Sequence, residues 1–153
     1  MSPRVLAAVA AALLVLLPLG WWLLRSDEDR IRAVMAEAEA AVEERNPQGV
    51  MDTLTQDFTA PRGVTRDSLH DALNRWLFTY QVDVELTPNP LEVHLNPDHD
   101  DEATVTFHVR ARVRQRNDEP WTEWQSTREL QRGLIATFRR TDEGWRIRRV
   151  DAP

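Results

Sequence analysis

The apolar positions of this chain follow three rhythms in succession, and each predicts a different kind of element. Residues 5–24 form one unbroken apolar run without a charge, which closes with Trp21 and Trp22 and is followed at once by Arg25. At 1.5 Å per residue such a run is about 30 Å long, the thickness of a bilayer's hydrocarbon core. Paired tryptophans ahead of a cation suit a membrane interface, where the rings sit at headgroup level and the guanidinium reaches water. A cleaved signal peptide fits less well, because no small-x-small motif follows Leu17. The expectation is a single uncleaved transmembrane signal-anchor in residues 1–25, with one domain over 26–153. The cations Arg4 and Arg25 compete over orientation, but the very short N-terminal tail favours N-in. The expected location is the inner membrane of a bacterium, single-pass, with the domain in the periplasm.

From Ser26 the rhythm becomes helical. Ser26 is a helix N-cap and Asp27, Glu28 and Asp29 are first-turn acids, after which Ile31, Val34, Met35, Ala38, Ala41 and Val42 recur at helical spacing. This predicts a long amphipathic helix that ends near Asn46 and Pro47. A second helix is expected over residues 47–58, with Pro47 near its first position and Val50, Met51, Leu54 and Phe58 on one face. Residues 59–63 break the pattern, and a third helix runs from Thr65 or Arg66 to about Thr79, lined by Leu69, Leu73, Trp76, Leu77 and Tyr80.

The third rhythm is alternation. Val82, Val84 and Leu86, then Leu91, Val93 and Leu95 beyond the bend at Pro88 and Pro90, predict one long bent strand. Val105, Phe107, Val109, Ala111 and Val113 alternate with Thr106, His108, Arg110, Arg112 and Arg114, the pattern of a half-buried strand. A long strand over residues 121–140, bent or bulged at Gly133, and a hairpin through residues 141–144 into a last strand complete the chain. The expected fold class is α+β: three N-terminal helices packed on a curved antiparallel sheet, here a four-stranded meander, behind one transmembrane helix.

Composition narrows the function classes. All 19 basic residues are Arg, and there is no Cys, which excludes disulfides, thiol catalysis and thiolate metal sites. Beyond the apolar head the formal charge is −8, a poor basis for binding nucleic acid. The charge is also unevenly placed: residues 26–103 hold 6 Arg and 18 acids, whereas residues 104–153 hold 11 Arg and 7 acids.

The element order, together with a closing hairpin in which Phe138 precedes Asp142-Glu143-Gly144 and Trp145-x-Ile147 returns, resembles the nuclear-transport-factor-2-like superfamily, which includes SnoaL-like and ketosteroid-isomerase-like domains. The resemblance implies a curved sheet wrapped with helices into a cone, often with a pocket in its mouth and often a dimer across the sheet. It implies no single function, because that fold carries enzymes, binders and scaffolds alike. Joining such a domain to one membrane helix is also similar to small assembly factors of type IV secretion systems, although the longer cytoplasmic tail of those proteins is missing.

Enzymes of this superfamily place acids, His or Tyr inside the cone, whereas the inward positions read here are apolar, so no catalytic residue, cofactor or metal is expected. The histidines and acids between His94 and Glu102 lack the glycine and spacing of a calcium loop and read as a solvated turn. Trp76, Tyr80, Trp124 and Arg128 are the candidate pocket residues; Arg128 points inward only in one of two strand registers. His108, Arg110, Arg112 and Arg114 form a candidate outer-sheet interface, for a second copy or an envelope protein, unless Asp83, Glu85, Glu123 or Glu129 neutralise them. The leading expectation is a membrane-tethered, non-enzymatic binding or assembly module of the bacterial envelope. The rival is a SnoaL-like isomerase, dehydratase or hydrolase acting on a small apolar ligand.

Overall fold

The computed structural model describes residues 25–124 and 132–153, with Ala12, Leu14 and Gly20 ahead of them. The expected membrane span and Arg128 therefore lie outside the described residues, as does Glu129. Among the described residues no helix is long and apolar enough to cross a membrane.

Helix α1, Asp27–Glu43, is capped as its sequence predicts: the Ser26 hydroxyl accepts from the Asp29 backbone N–H at 3.2 Å. Its buried face is Ile31, Val34, Met35 and Ala41. Helix α2 is only Pro47–Met51, and strand β1, Leu54–Ala60, follows it. The expected helix over 47–58 is thus corrected, for a specific reason. Leu54 and Phe58 are four apart, a separation that satisfies a helical face and an alternating strand equally well. The β-branched Thr53 and Thr55 tip the balance, since both lose side-chain freedom in a helix. The Thr53 hydroxyl donates to the Val50 carbonyl at 2.6 Å, and the Thr53 carbonyl accepts from Ile147 N–H at 2.8 Å, pulling the chain out of the helix and into the sheet.

A short 3₁₀ turn, Pro61–Gly63, leads into β2, Val64–Thr65, and then helix α3, Arg66–Thr79. Thr65 and Ser68 form a capping box at its start. Strands β3, Gln81–Thr87, and β4, Val93–Leu95, both pair with the long strand β5, Glu102–Arg114, as two successive segments of the expected bent strand. Of the expected strand over 121–140, the described parts are β6, Thr122–Glu123, and β7, Leu134–Thr141, with Gly133 at a φ of +93° where the chain enters β7. Strand β8, Gly144–Asp151, closes the fold through a turn in which Gly144 takes a φ of +104°, a region that disfavours residues with a Cβ.

The sheet is therefore larger than a four-stranded meander and is mixed rather than antiparallel. Its order is β2-β1-β8-β7-β5-β3, with β4 and β6 also paired to β5. Strand β1 lies parallel to β8, as Leu54 opposite Ile147 records. That pairing was not legible in periodicity, because it joins segments about ninety residues apart. The curved, unclosed sheet carries its core on the face toward α1. Phe138, Ile31, Met51, Leu77 and Val105 are each at most 2% exposed, and Phe58, Phe107, Trp145 and Ile147 complete the packing.

Polar contacts clamp the helix layer onto the sheet. Asp27, at the first turn of α1, accepts from Trp145 Nε1 at 3.1 Å and pairs with Arg140, whose guanidinium lies 5.0 Å from the centroid of the Trp145 ring. Arg32 donates to the Leu91 carbonyl at 2.8 Å, and Glu43 accepts from the Val84 N–H at 3.0 Å. Arg45 donates to the carbonyls of Leu77 and Phe78 at 2.7 and 2.8 Å, which satisfies the C-terminal end of α3.

Candidate functional site

Helix α3 divides its surface between two tasks. Leu77 is buried, with Leu69 and Leu73 packed against the core, whereas Ala72, Trp76 and Thr79 recur at helical spacing on a neighbouring face. Tyr80 ends the helix, its N–H donating to the Trp76 carbonyl at 2.9 Å, and the ring of Tyr80 lies 6.1 Å from that of Trp76 at a tilt of 49°. From the other side comes Trp124. Strand β6 pairs Arg112 with Glu123 and Val113 with Thr122, and one residue further on the Trp124 N–H donates to the Ala111 carbonyl at 2.9 Å. This register brings the Trp124 ring to 5.4 Å from Trp76, again at 49°. Both separations lie in the range favoured by tilted aromatic pairs.

The result is an open groove of about 630 Å³, lined by Ala72, Leu73, Arg75, Trp76, Thr79, Tyr80 and Trp124. Its volume falls within the range of small-molecule sites. Three of the four pocket residues expected from sequence, Trp76, Tyr80 and Trp124, meet here; the fourth, Arg128, is outside the described residues. Sequence reasoning missed Arg75, although its position beside Trp76 on an exposed helical face was a usable signal. Among the described residues no carboxylate or histidine lines the groove, and its hydroxyl groups are those of Thr79 and Tyr80.

The interior of the cone is different in kind. Among the described residues, the buried polar side chains are Thr53, Thr55 and Thr137, and no ionisable side chain is buried.

The outer-sheet row is held by its neighbours. Arg112 pairs with Asp83 directly across β3, and Arg110 pairs with Glu123 on β6 at 3.1 Å. Arg114 donates to Gln81 at 2.7 Å and to the Asn117 carbonyl at 3.2 Å, while its guanidinium lies 4.4 Å from the centroid of the Trp121 ring. Arg110, Arg112, Asp83, Glu85 and Glu123 together border a cavity of about 330 Å³ on this face. His108 is exposed at the next outward position, close to the backbone of Gly133. His94 lies on β4 opposite Thr104 and His99 in the turn before β5, and no cluster of metal-ligating side chains exists among the described residues.

Two carboxyl groups depart from their ordinary behaviour. Partial burial, followed by repulsion from Glu43, Asp83 and Glu85, raises the pKa of Glu39. The neighbouring Thr55 hydroxyl, then the Arg139 and Arg148 guanidiniums at 3.4 and 3.8 Å, lower that of Asp57.

No curated protein of described function is similar enough to match. Solved structures match well in shape at low identity, which shows the fold alone. A conserved protein from Planctomyces limnophilus is 19% identical with a TM-score of 0.65, covering 82% of this chain and 93% of its own. An NTF2-like protein with a cystatin-like fold from Novosphingobium aromaticivorans is 19% identical with a TM-score of 0.60, covering 93% and 85%. A protein of the NTF2-like family from Streptomyces avermitilis, named as a candidate dehydratase, is 14% identical with a TM-score of 0.62, covering 82% and 93%. Residues 25–151 match the model of the SnoaL-like domain, and this chain belongs to that family.

Proposed function

We propose that this SnoaL-like domain is a non-enzymatic binding module, tethered by residues 5–24 to the inner membrane of a bacterium with the domain in the periplasm, and that it takes a small, flat, apolar ligand in the groove of Trp76, Tyr80 and Trp124. The observation that carries the reading is the contrast between a cone interior packed with apolar side chains and an aromatic groove left open on α3. Stacked aromatic rings supply affinity for a flat molecule, and the few polar groups at the rim orient it. The tether rests on the uncharged run before Arg25 and on the absence of a linker between it and the Ser26 cap, which would hold the groove near the lipid surface.

Equilibrium dialysis of naphthalene-2-carboxamide against the full chain in lipid nanodiscs, with empty nanodiscs as the blank, tests the binding site. Saturable binding that falls at least about fivefold in Trp76→Ala supports the reading, given the energy of aromatic contacts. Binding that is absent, or indifferent to Trp76, removes it. Alkaline extraction of membranes tests the tether: the chain should stay in the pellet, and removal of residues 1–25 should release it.

A second reading is favoured by the naming of the Streptomyces avermitilis structure as a candidate dehydratase of the NTF2-like family. In it the groove is an active site and Tyr80 donates the proton. Loss of water from a hydroxylated cyclic ketone, catalysed by the full chain and abolished in Tyr80→Phe, would favour this alternative over the binding module.

A further inference from the structure

Arginine is the only strong cation that this domain contains, and most of its arginines are already committed. Arg110 and Arg112 are held by carboxylates across the sheet, Arg140 by Asp27, and Arg45 by helix carbonyls. Arg75 differs. It lies on the wall of the aromatic groove one residue from Trp76, its side chain is exposed, and among the described residues no carboxylate or carbonyl accepts from its guanidinium. Among the described residues the groove lining holds no acid that would neutralise it, so its field falls on whatever occupies the groove.

We infer that the ligand of this groove is an anion: a flat apolar ring system carrying a carboxylate or a similar acidic group at one edge. The rings lie against Trp76, Tyr80 and Trp124, and the acid reaches Arg75, whose planar fork matches a carboxylate with two parallel hydrogen bonds. The Thr79 hydroxyl, which donates to the Arg75 carbonyl at 3.3 Å, sits one turn further along the same face and fixes the polar edge of the groove. This inference rests on the groove being the binding site, and it adds the charge of the ligand.

A matched pair of probes separates the two claims. Naphthalene-2-carboxylate and naphthalene-2-carboxamide share one ring system and differ in charge. Dialysed against the full chain in nanodiscs of zwitterionic lipid, the carboxylate should bind about five- to tenfold more tightly than the amide, the scale expected of a charge-assisted contact at a solvated rim. Arg75→Gln should abolish that preference, and raising the salt concentration should narrow it in the parent chain only. Equal affinity for both probes, with both weakened by Trp76→Ala, would overturn the anion and leave the groove standing. Binding of neither probe would remove the groove itself. If the parent chain sediments as a dimer that Trp76→Ala dissociates, the groove is filled by a second copy, and the inference falls.

Discussion

The space beneath α1 and the groove beside α3 are built from similar side chains and end in opposite states. Beneath α1, Ile31 and Met35 from the helix, Val105 from β5 and Phe138 from β7 close on one another from three different elements, leaving Phe138 and Val105 with no exposed surface. Beside α3, Trp76 and Tyr80 come from one helix, and among the described residues only Trp124 faces them from elsewhere and none covers the third side. Apolar residues seal when partners converge from several directions, and they remain available for a ligand when partners come from two. In this domain stability and binding are therefore carried by different apolar clusters.

Substitutions should separate the two. The largest effect is expected from Phe138→Ala, which empties a fully buried site and should cost about 3–5 kcal/mol in denaturant unfolding, while the fraction still folded keeps its affinity for naphthalene-2-carboxamide. A parallel loss of affinity would mean that the two clusters are not independent. Asp27→Ala, which deprives Trp145 Nε1 and Arg140 of their shared acceptor, should cost about 1–2 kcal/mol, again without changing the groove. Trp76→Ala should reverse the pattern, lowering stability by no more than about 1.5 kcal/mol while binding falls most. On the outer sheet face Arg110→Ala should change stability by less than about 0.5 kcal/mol, because its pair with Glu123 is well exposed.

The smallest effect is a pH slope. Glu39 holds its proton more tightly when folded, so it stabilises the fold at acid pH, and that contribution is lost as pH rises through its raised pKa. Asp57 acts in the other direction, contributing above the ordinary carboxylate range and losing that contribution as pH falls through its lowered pKa. Denaturant midpoints measured from pH 4 to 7 should fall less with rising pH in Glu39→Gln than in the parent chain. An unchanged slope would show that burial and the repulsion of Glu43, Asp83 and Glu85 do not raise the pKa of Glu39.

Legibility in the sequence followed the range of the interactions. Helices α1 and α3, the strand β5 and the closing hairpin were readable because caps, turns and one-sided periodicity act over a few residues. The segment after Met51 was not, because Leu54 and Phe58 suit both periods and the strand is selected by β8, which is distant in sequence. Trp76, Tyr80 and Trp124 could be named as candidates from residue type alone, but their meeting depends on the β5–β6 register. Nothing local fixes that register.

The amino-acid order alone determined the apolar head, the three helical starts, the Arg-only cations and the split between an acidic first half and a basic second half. Only the tertiary structure decided that the outer arginines are satisfied by their neighbours and that, among the described residues, Arg75 is not and the aromatic groove stays open. The physical reason is the same in each case: charge and apolar character belong to residues, whereas partnership depends on which elements converge on them in space.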